Sequence, residues 1–167
     1  MLDKEIQVLL WIQNTFRNER INKYWYVLTN FGNYWIWHII NTLLLINPST
    51  RSIAYIVWSA VGLEVIVVHI FLKKLTNRPR PFDVSNEIIP IGKLPKDKSF
   101  PSGHTCVAFV CVILYLFYLP VWFFAPMFVI ACLIAFSRMY LGVHFPSDVF
   151  WGAVLAVLID VVILLIY

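Results

Sequence analysis

Apolar residues dominate this chain, and the polar ones fall at intervals that divide it into helices. Residues 3–19 place Ile6, Leu9, Leu10, Ile12, Gln13 and Phe16 at helical spacing, too short a run to cross a bilayer. That pattern predicts an amphipathic helix over about 1–20, lying at a membrane interface. A span needs about 20 apolar residues. Five later stretches qualify: 24–46, 52–73, 103–119, 121–138 and 148–167. The predicted fold is therefore all-α, an integral membrane bundle of about five transmembrane helices plus the N-terminal helix. A single domain covers 1–167. The 74–101 connection, with Pro79, Pro81, Pro90, Gly92 and Pro95, is long for a compact domain, and such loops often carry function.

Polar groups inside the spans need partners. Asn30, Asn33, His38 and Asn41 in the first span are expected to face other helices, with His38 a packing histidine. Glu64 lies nine residues before Lys73, about 13 Å along a helix. It and Asp160 are read as a packing pair or as snorkelling groups, the alternative being function. His69, one turn before Lys73, is read as packing, with contact to the site as the alternative.

Composition narrows the class. The chain has 167 residues, 60% hydrophobic and 13% charged, whereas soluble domains carry about 25% charged residues. The net charge of +4 comes from basic residues beside apolar helices, which favours anionic lipid or a phosphorylated substrate over nucleic acid. Cys106, Cys111 and Cys132 lie in apolar runs without metal-ligand spacing and read as core residues. No cleavable signal peptide is predicted.

The candidate chemistry lies in three segments at span ends: Lys73 to Pro81, Phe100 to His104, and Ser137 to Asp148. Two crossings separate the end of the 52–73 span from the end of the 121–138 span, so both ends share a membrane face. The starts of the 103–119 and 148–167 spans lie there too. His104 opens a helix behind Ser102 and Gly103, where free N–H groups and the helix dipole attract anions. Gly103 permits close backbone approach, and Ser102 can cap the helix. His144 and Asp148 are four apart and share a face if helical. A carboxylate on one imidazole nitrogen frees the other to attack. Cations with two histidines suit phosphate chemistry.

These residues resemble the signature of the type 2 phosphatidic acid phosphatase (PAP2) superfamily of membrane lipid phosphatases. Lys73, Arg80 and Pro81 fit K-x6-R-P; Pro101 to His104 fit P-S-G-H; Ser137, Arg138, His144 and Asp148 fit S-R-x5-H-x3-D. The resemblance implies a metal-independent phosphatase with no cofactor and a phosphohistidine intermediate. In that scheme His144 attacks phosphorus, Asp148 orients it, and His104 protonates the leaving oxygen and then helps activate water. Lys73, Arg80, Ser102, Gly103 and Arg138 would hold the phosphoryl oxygens. The expected substrate is a lipid phosphate or diphosphate, with polyprenyl (undecaprenyl) diphosphate ahead of phosphatidylglycerol phosphate and phosphatidate. A non-catalytic lipid-binding or transport protein is the alternative from another class. The resemblance implies a multi-pass plasma-membrane protein with an outward-facing site, although the excess of Lys and Arg on the catalytic side argues for the cytoplasm.

Overall fold

A computed structural model describes residues 2–167, and the described residues are helices and connections without strands. Helix α1 spans Leu2–Phe16 and α2 spans Glu19–Thr29. Asn18 separates them, its side chain accepting the Arg20 N–H at 2.9 Å in the manner of an N-cap. The N-terminal helix therefore ends four residues sooner than the pattern predicts. It docks on the protein through buried Leu9, Ile12 and Gln13. Gln13 donates to Ile89 O at 3.1 Å, tying α1 to the long loop.

The first predicted span is not one helix. A 3-10 turn at Asn30–Gly32 breaks it, and α3 starts afresh at Tyr34 and runs to Ile46. Asn33 donates its N–H to Asn30 O at 3.0 Å and its side-chain amide to Asn30 Oδ1 at 3.1 Å. The Asn-Phe-Gly-Asn run is thus turn chemistry rather than a set of polar packing groups. His38 lies on the exposed side of α3, contrary to the packing expectation.

Helix α4 (Arg51–Glu64) continues through a π-helical stretch at Val65–Leu72 into the single turn α5 (Lys73–Thr76). Asn77, in the left-handed region at φ 45°, ends it. A short helix α6 (Pro81–Val84) interrupts the loop. The bundle is completed by α7 (Gly103–Tyr118), α8 (Val121–Tyr140) and α9 (Pro146–Ile166). The run from Arg51, α8 and α9 are long and apolar enough to cross a membrane; α3 and α7 are apolar but shorter. The five apolar helices match the predicted spans in place, with α3 the remnant of the broken first one.

Helix α7 is the hub, packed against α4, α8 and α9. Cys106, Val107, Ala108, Val110 and Cys111 are fully buried in it. Close approach depends on small residues. A side chain at Gly152 of α9 would meet Ser102 O at 2.8 Å, so this glycine lets α9 lie against the start of α7. Apolar side chains such as Phe150, Val157, Val161 and Leu165 face outward, as a lipid-facing surface requires. Cys132 is also exposed, so only Cys106 and Cys111 are core thiols.

The intramembrane acids are buried. Glu64 accepts a hydrogen bond from the Tyr34 hydroxyl at 2.6 Å. Asp160 is 1% exposed, and neither carboxylate oxygen has a hydrogen-bond partner among the described residues. It therefore does not snorkel.

Candidate active site

Each predicted residue reaches the site through a local device. Lys73 lies where the π-helical stretch reverts to α-helix; such bulges are frequent at functional sites. Arg80 precedes Pro81, whose ring starts α6. His104 is the second residue of α7. Arg138 lies in the last turn of α8. The chain then turns back through Gly142 at φ 69°, a conformation costly for other residues. Val143 and His144 donate their N–H groups to Arg138 O at 3.2 and 3.3 Å. That turn sets His144 beside Arg138, six positions earlier in sequence.

Lys73, Arg80, Gly103, His104, Arg138 and His144 line one cavity of about 100 Å³, with Tyr34, His69, Pro95 and Asp97. A second cavity, about 630 Å³, opens beside it and shares His104, Arg138 and Pro95. Its other walls include Asn30, Asn33, Lys93 and Lys96. His104 thus borders both spaces, and His144 borders only the small one. Span parity had brought these segments to one face; the structure brings the side chains to one cavity.

Asp148 stands behind His144. Its Oδ2 lies 3.5 Å from His144 Nδ1, longer than a formed hydrogen bond, and Nδ1 has no hydrogen-bond partner among the described residues. On the other side of the ring, Arg80 Nη1 lies 3.3 Å from His144 Nε2. A guanidinium only donates, so Nε2 is the acceptor and carries the lone pair, and the proton belongs on Nδ1, facing Asp148. Burial holds the His144 imidazole well below its ordinary pKa, and Arg80, Arg138 and Lys73 push the same way. The ring is accordingly neutral at neutral pH.

Several groups at the site have no counterpart in the sequence reading. Arg78 pairs with Asp148 Oδ1 at 2.6 Å and with Glu5 of α1, and stacks 4.3 Å above the Phe145 ring. Ser99 donates to Asp148, which also accepts the Phe145 N–H at 2.8 Å. The carboxylate is therefore fixed by three groups before it meets His144. Asp97 bonds both Lys73 and Arg80. Burial pushes its carboxyl upward, but the Lys73 hydrogen bond and the charges of Lys73 and Arg80 outweigh this and hold it well below the usual range. Basic residues in the loop were legible as charge; the acid among them was not singled out.

Two residues differ from expectation. The Ser102 hydroxyl is buried 2.9 Å from Thr105 Oγ1 and does not line the cavity. A phosphoryl contact would require its rotation. His69, read as packing, does line the cavity, with Nε2 2.7 Å from the Tyr34 hydroxyl. A side chain at Gly103 would meet His69 Nε2 at 2.6 Å. The glycine therefore makes room for His69.

Comparison with known proteins gives a consistent picture. The family model described as PAP2 superfamily matches residues 52–167. An undecaprenyl-diphosphatase of Sulfolobus acidocaldarius is 30% identical over 75% of this chain, which spans 60% of that relative's length. The crystal structure of Aquifex aeolicus LpxE superposes with a TM-score of 0.85 at 28% identity, covering 95% of this chain and 93% of that one. A phosphatidylglycerolphosphate phosphatase of PAP2 type from Bacillus subtilis shares the fold, with a TM-score of 0.78 at 23% identity over 96% and 83% of the two chains. All three signature segments lie inside the matched region, and the chain belongs to the PAP2 superfamily.

Proposed function

We propose that this protein is a membrane lipid phosphatase that hydrolyses a lipid phosphate or diphosphate through a phosphohistidine at His144. The observation that carries the reading is the single cavity lined by Lys73, Arg80, Arg138, His104 and His144, with a fixed carboxylate behind His144. His144 Nε2 would attack phosphorus while the bond to the leaving oxygen breaks. His104, protonated once the negative charge of the bound phosphate lies beside it, would give that oxygen its proton. Water would then attack the phosphohistidine and pass a proton to His104, releasing inorganic phosphate and restoring both rings. Lys73, Arg80, Arg138 and the Gly103 N–H would stabilise the charge on the transferring group. Arg78 and Ser99 act earlier, by holding Asp148.

His104 borders the larger cavity, so the leaving group would occupy that side. The undecaprenyl-diphosphatase among the relatives makes polyprenyl diphosphate the first choice of substrate, with phosphatidylglycerol phosphate and phosphatidate next. Purified protein in detergent or vesicles should release phosphate from a panel of such lipids, and full activity is expected in excess EDTA. The cations already on the chain supply the charge that a metal ion would bring. Loss of activity with chelator and its return with Mg²⁺ would overturn the mechanism. Shortening the lipid tail should lower kcat/KM, and equal efficiency on a short soluble ester would refute lipid selectivity.

The site is proposed to face outward across the plasma membrane, as suits recycling of a lipid carrier. Asn86, exposed in the 85–102 connection, reports this. After replacement of the three cysteines, Asn86→Cys in intact cells should react with an impermeant thiol reagent. Reaction only after permeabilisation would reverse the orientation.

A further inference from the structure

Two of the groups expected to grip the phosphoryl oxygens, Arg80 and Lys73, are already engaged, whereas Arg138 Nε has no partner among the described residues. Arg80 Nε donates to Asp97 O at 2.8 Å. Nη1 donates to Val143 O at 2.6 Å and faces His144 Nε2 at 3.3 Å. Nη2 donates to Asp97 Oδ1 at 2.8 Å and to Lys98 O at 3.3 Å. These contacts use every N–H of the guanidinium. Lys73 Nζ donates to Asp97 Oδ2 and, at 3.0 Å, to Lys98 O. A phosphoryl oxygen can therefore bond Arg80 only by displacing something. Two of its partners are fixed: Val143 and His144 belong to the buried turn after α8. Asp97 differs, because its side chain is 47% exposed and it stands in the irregular part of the loop.

We propose that the Asp97 carboxylate occupies the phosphoryl seat in the resting site and is exchanged for the substrate's phosphate. The inference rests on the reading of this cavity as the phosphoryl site. A planar carboxylate bridging a lysine and an arginine uses the same donors that phosphate oxygens use. Two consequences follow from the contacts. The resting carboxylate offsets the mutual repulsion of Lys73 and Arg80 at the cavity wall, which would otherwise face each other unpaired. It also holds Arg80 where Nη1 covers the lone pair of His144 Nε2, so the attacking nitrogen is masked until an anion draws Arg80 away. The more highly charged phosphate dianion would compete where a carboxylate or phosphodiester would not. Asp97 thereby sets both the affinity for phosphoryl groups and the selection of terminal over diester phosphate.

The opposite role, a carboxylate that holds Lys73 and Arg80 in position for phosphate, predicts the reverse response, and orthovanadate distinguishes the two. In the unaltered protein vanadate should inhibit competitively. In Asp97→Asn and Asp97→Ala its inhibition constant should fall about tenfold, each tenfold corresponding to about 1.4 kcal/mol, because no internal anion remains to be displaced. The KM for a lipid phosphate should fall in the same direction. Weaker or unchanged vanadate inhibition in both variants would overturn the exchange. A measurement on the unaltered protein guards against misfolded variants. Saturating vanadate should speed amide hydrogen exchange at Ser99, whose N–H bonds Arg78 O at 3.0 Å beside Asp97, as the loop loses its anchor; slowed or unchanged exchange contradicts displacement. If vanadate fails to inhibit the unaltered protein, the active-site reading fails and this inference with it. If it inhibits but no variant tightens, the inference alone fails.

Discussion

His144→Ala is expected to reduce turnover by about 10⁴-fold or more while the protein remains folded. Binding and electrostatics survive the change, because Lys73 and Arg80 come from another segment and Arg138 is held by α8, but among the described residues no other histidine at the cavity lies against a carboxylate. The same geometry sets the pH response. Protonating His144 would add positive charge to a buried ring already beside Arg80, Arg138 and Lys73, so its neutral form persists as pH falls below 6.5. The acid limb of kcat/KM should therefore have its midpoint below pH 6.5, once the phosphate's own ionisation near about pH 6 is allowed for. A midpoint above 6.5 would contradict a masked, neutral nucleophile.

His104→Gln is expected to lower kcat by about 10²–10⁴-fold, the usual reach of a general acid, and the loss should depend on the leaving group. His104 borders the larger cavity, where the departing oxygen would lie. An alkyl oxygen leaves poorly without a proton; an aryl oxygen or the inner phosphate of a diphosphate leaves readily. The variant should accordingly be most impaired on a lipid monophosphate and least on p-nitrophenyl phosphate or a diphosphate. Equal loss on all three would show that His104 supports the fold or the binding of phosphate instead. The ring has little freedom, since a side chain at Gly32 would meet His104 Cβ and Cδ2 at 3.0 Å.

Much of this site was legible because its residues lie at the ends of apolar runs, where a charge has to be explained. Counting crossings put Lys73, His104, Arg138 and His144 on one face, and the cavity agrees. The break at Asn30–Gly32 was missed because hydropathy outweighed a short turn signal inside an apolar stretch; Asn-Phe-Gly-Asn carried that signal. Asp97 was missed for a different reason. It lies in a loop with no periodicity, and a carboxylate within a basic loop reads as solvated charge until its partners are known. Arg78 stands two positions from Arg80, yet only the fold shows that one faces Asp148 and the other His144. Ser102 illustrates the reverse case: its place in the signature suggested a phosphoryl contact, whereas the local geometry turns its hydroxyl to Thr105. His69 stands four positions before Lys73, one turn along the helix, and the cavity bears out the alternative of contact that this spacing offered.

The central claim is a covalent bond between phosphorus and His144, and trapping that bond tests it most directly. The protein would be mixed with a lipid phosphate carrying a radioactive terminal phosphoryl group and quenched in denaturing base within the first turnovers. Label should be protein-bound, stable to base and labile to acid, as a phosphoramidate is, and the labelled peptide should contain His144. His144→Ala should carry none, while His104→Gln should still accumulate label when the substrate has a good leaving group. Acid-stable label, label on another residue, or turnover without any bound phosphate under conditions where the first step is fast would contradict the account.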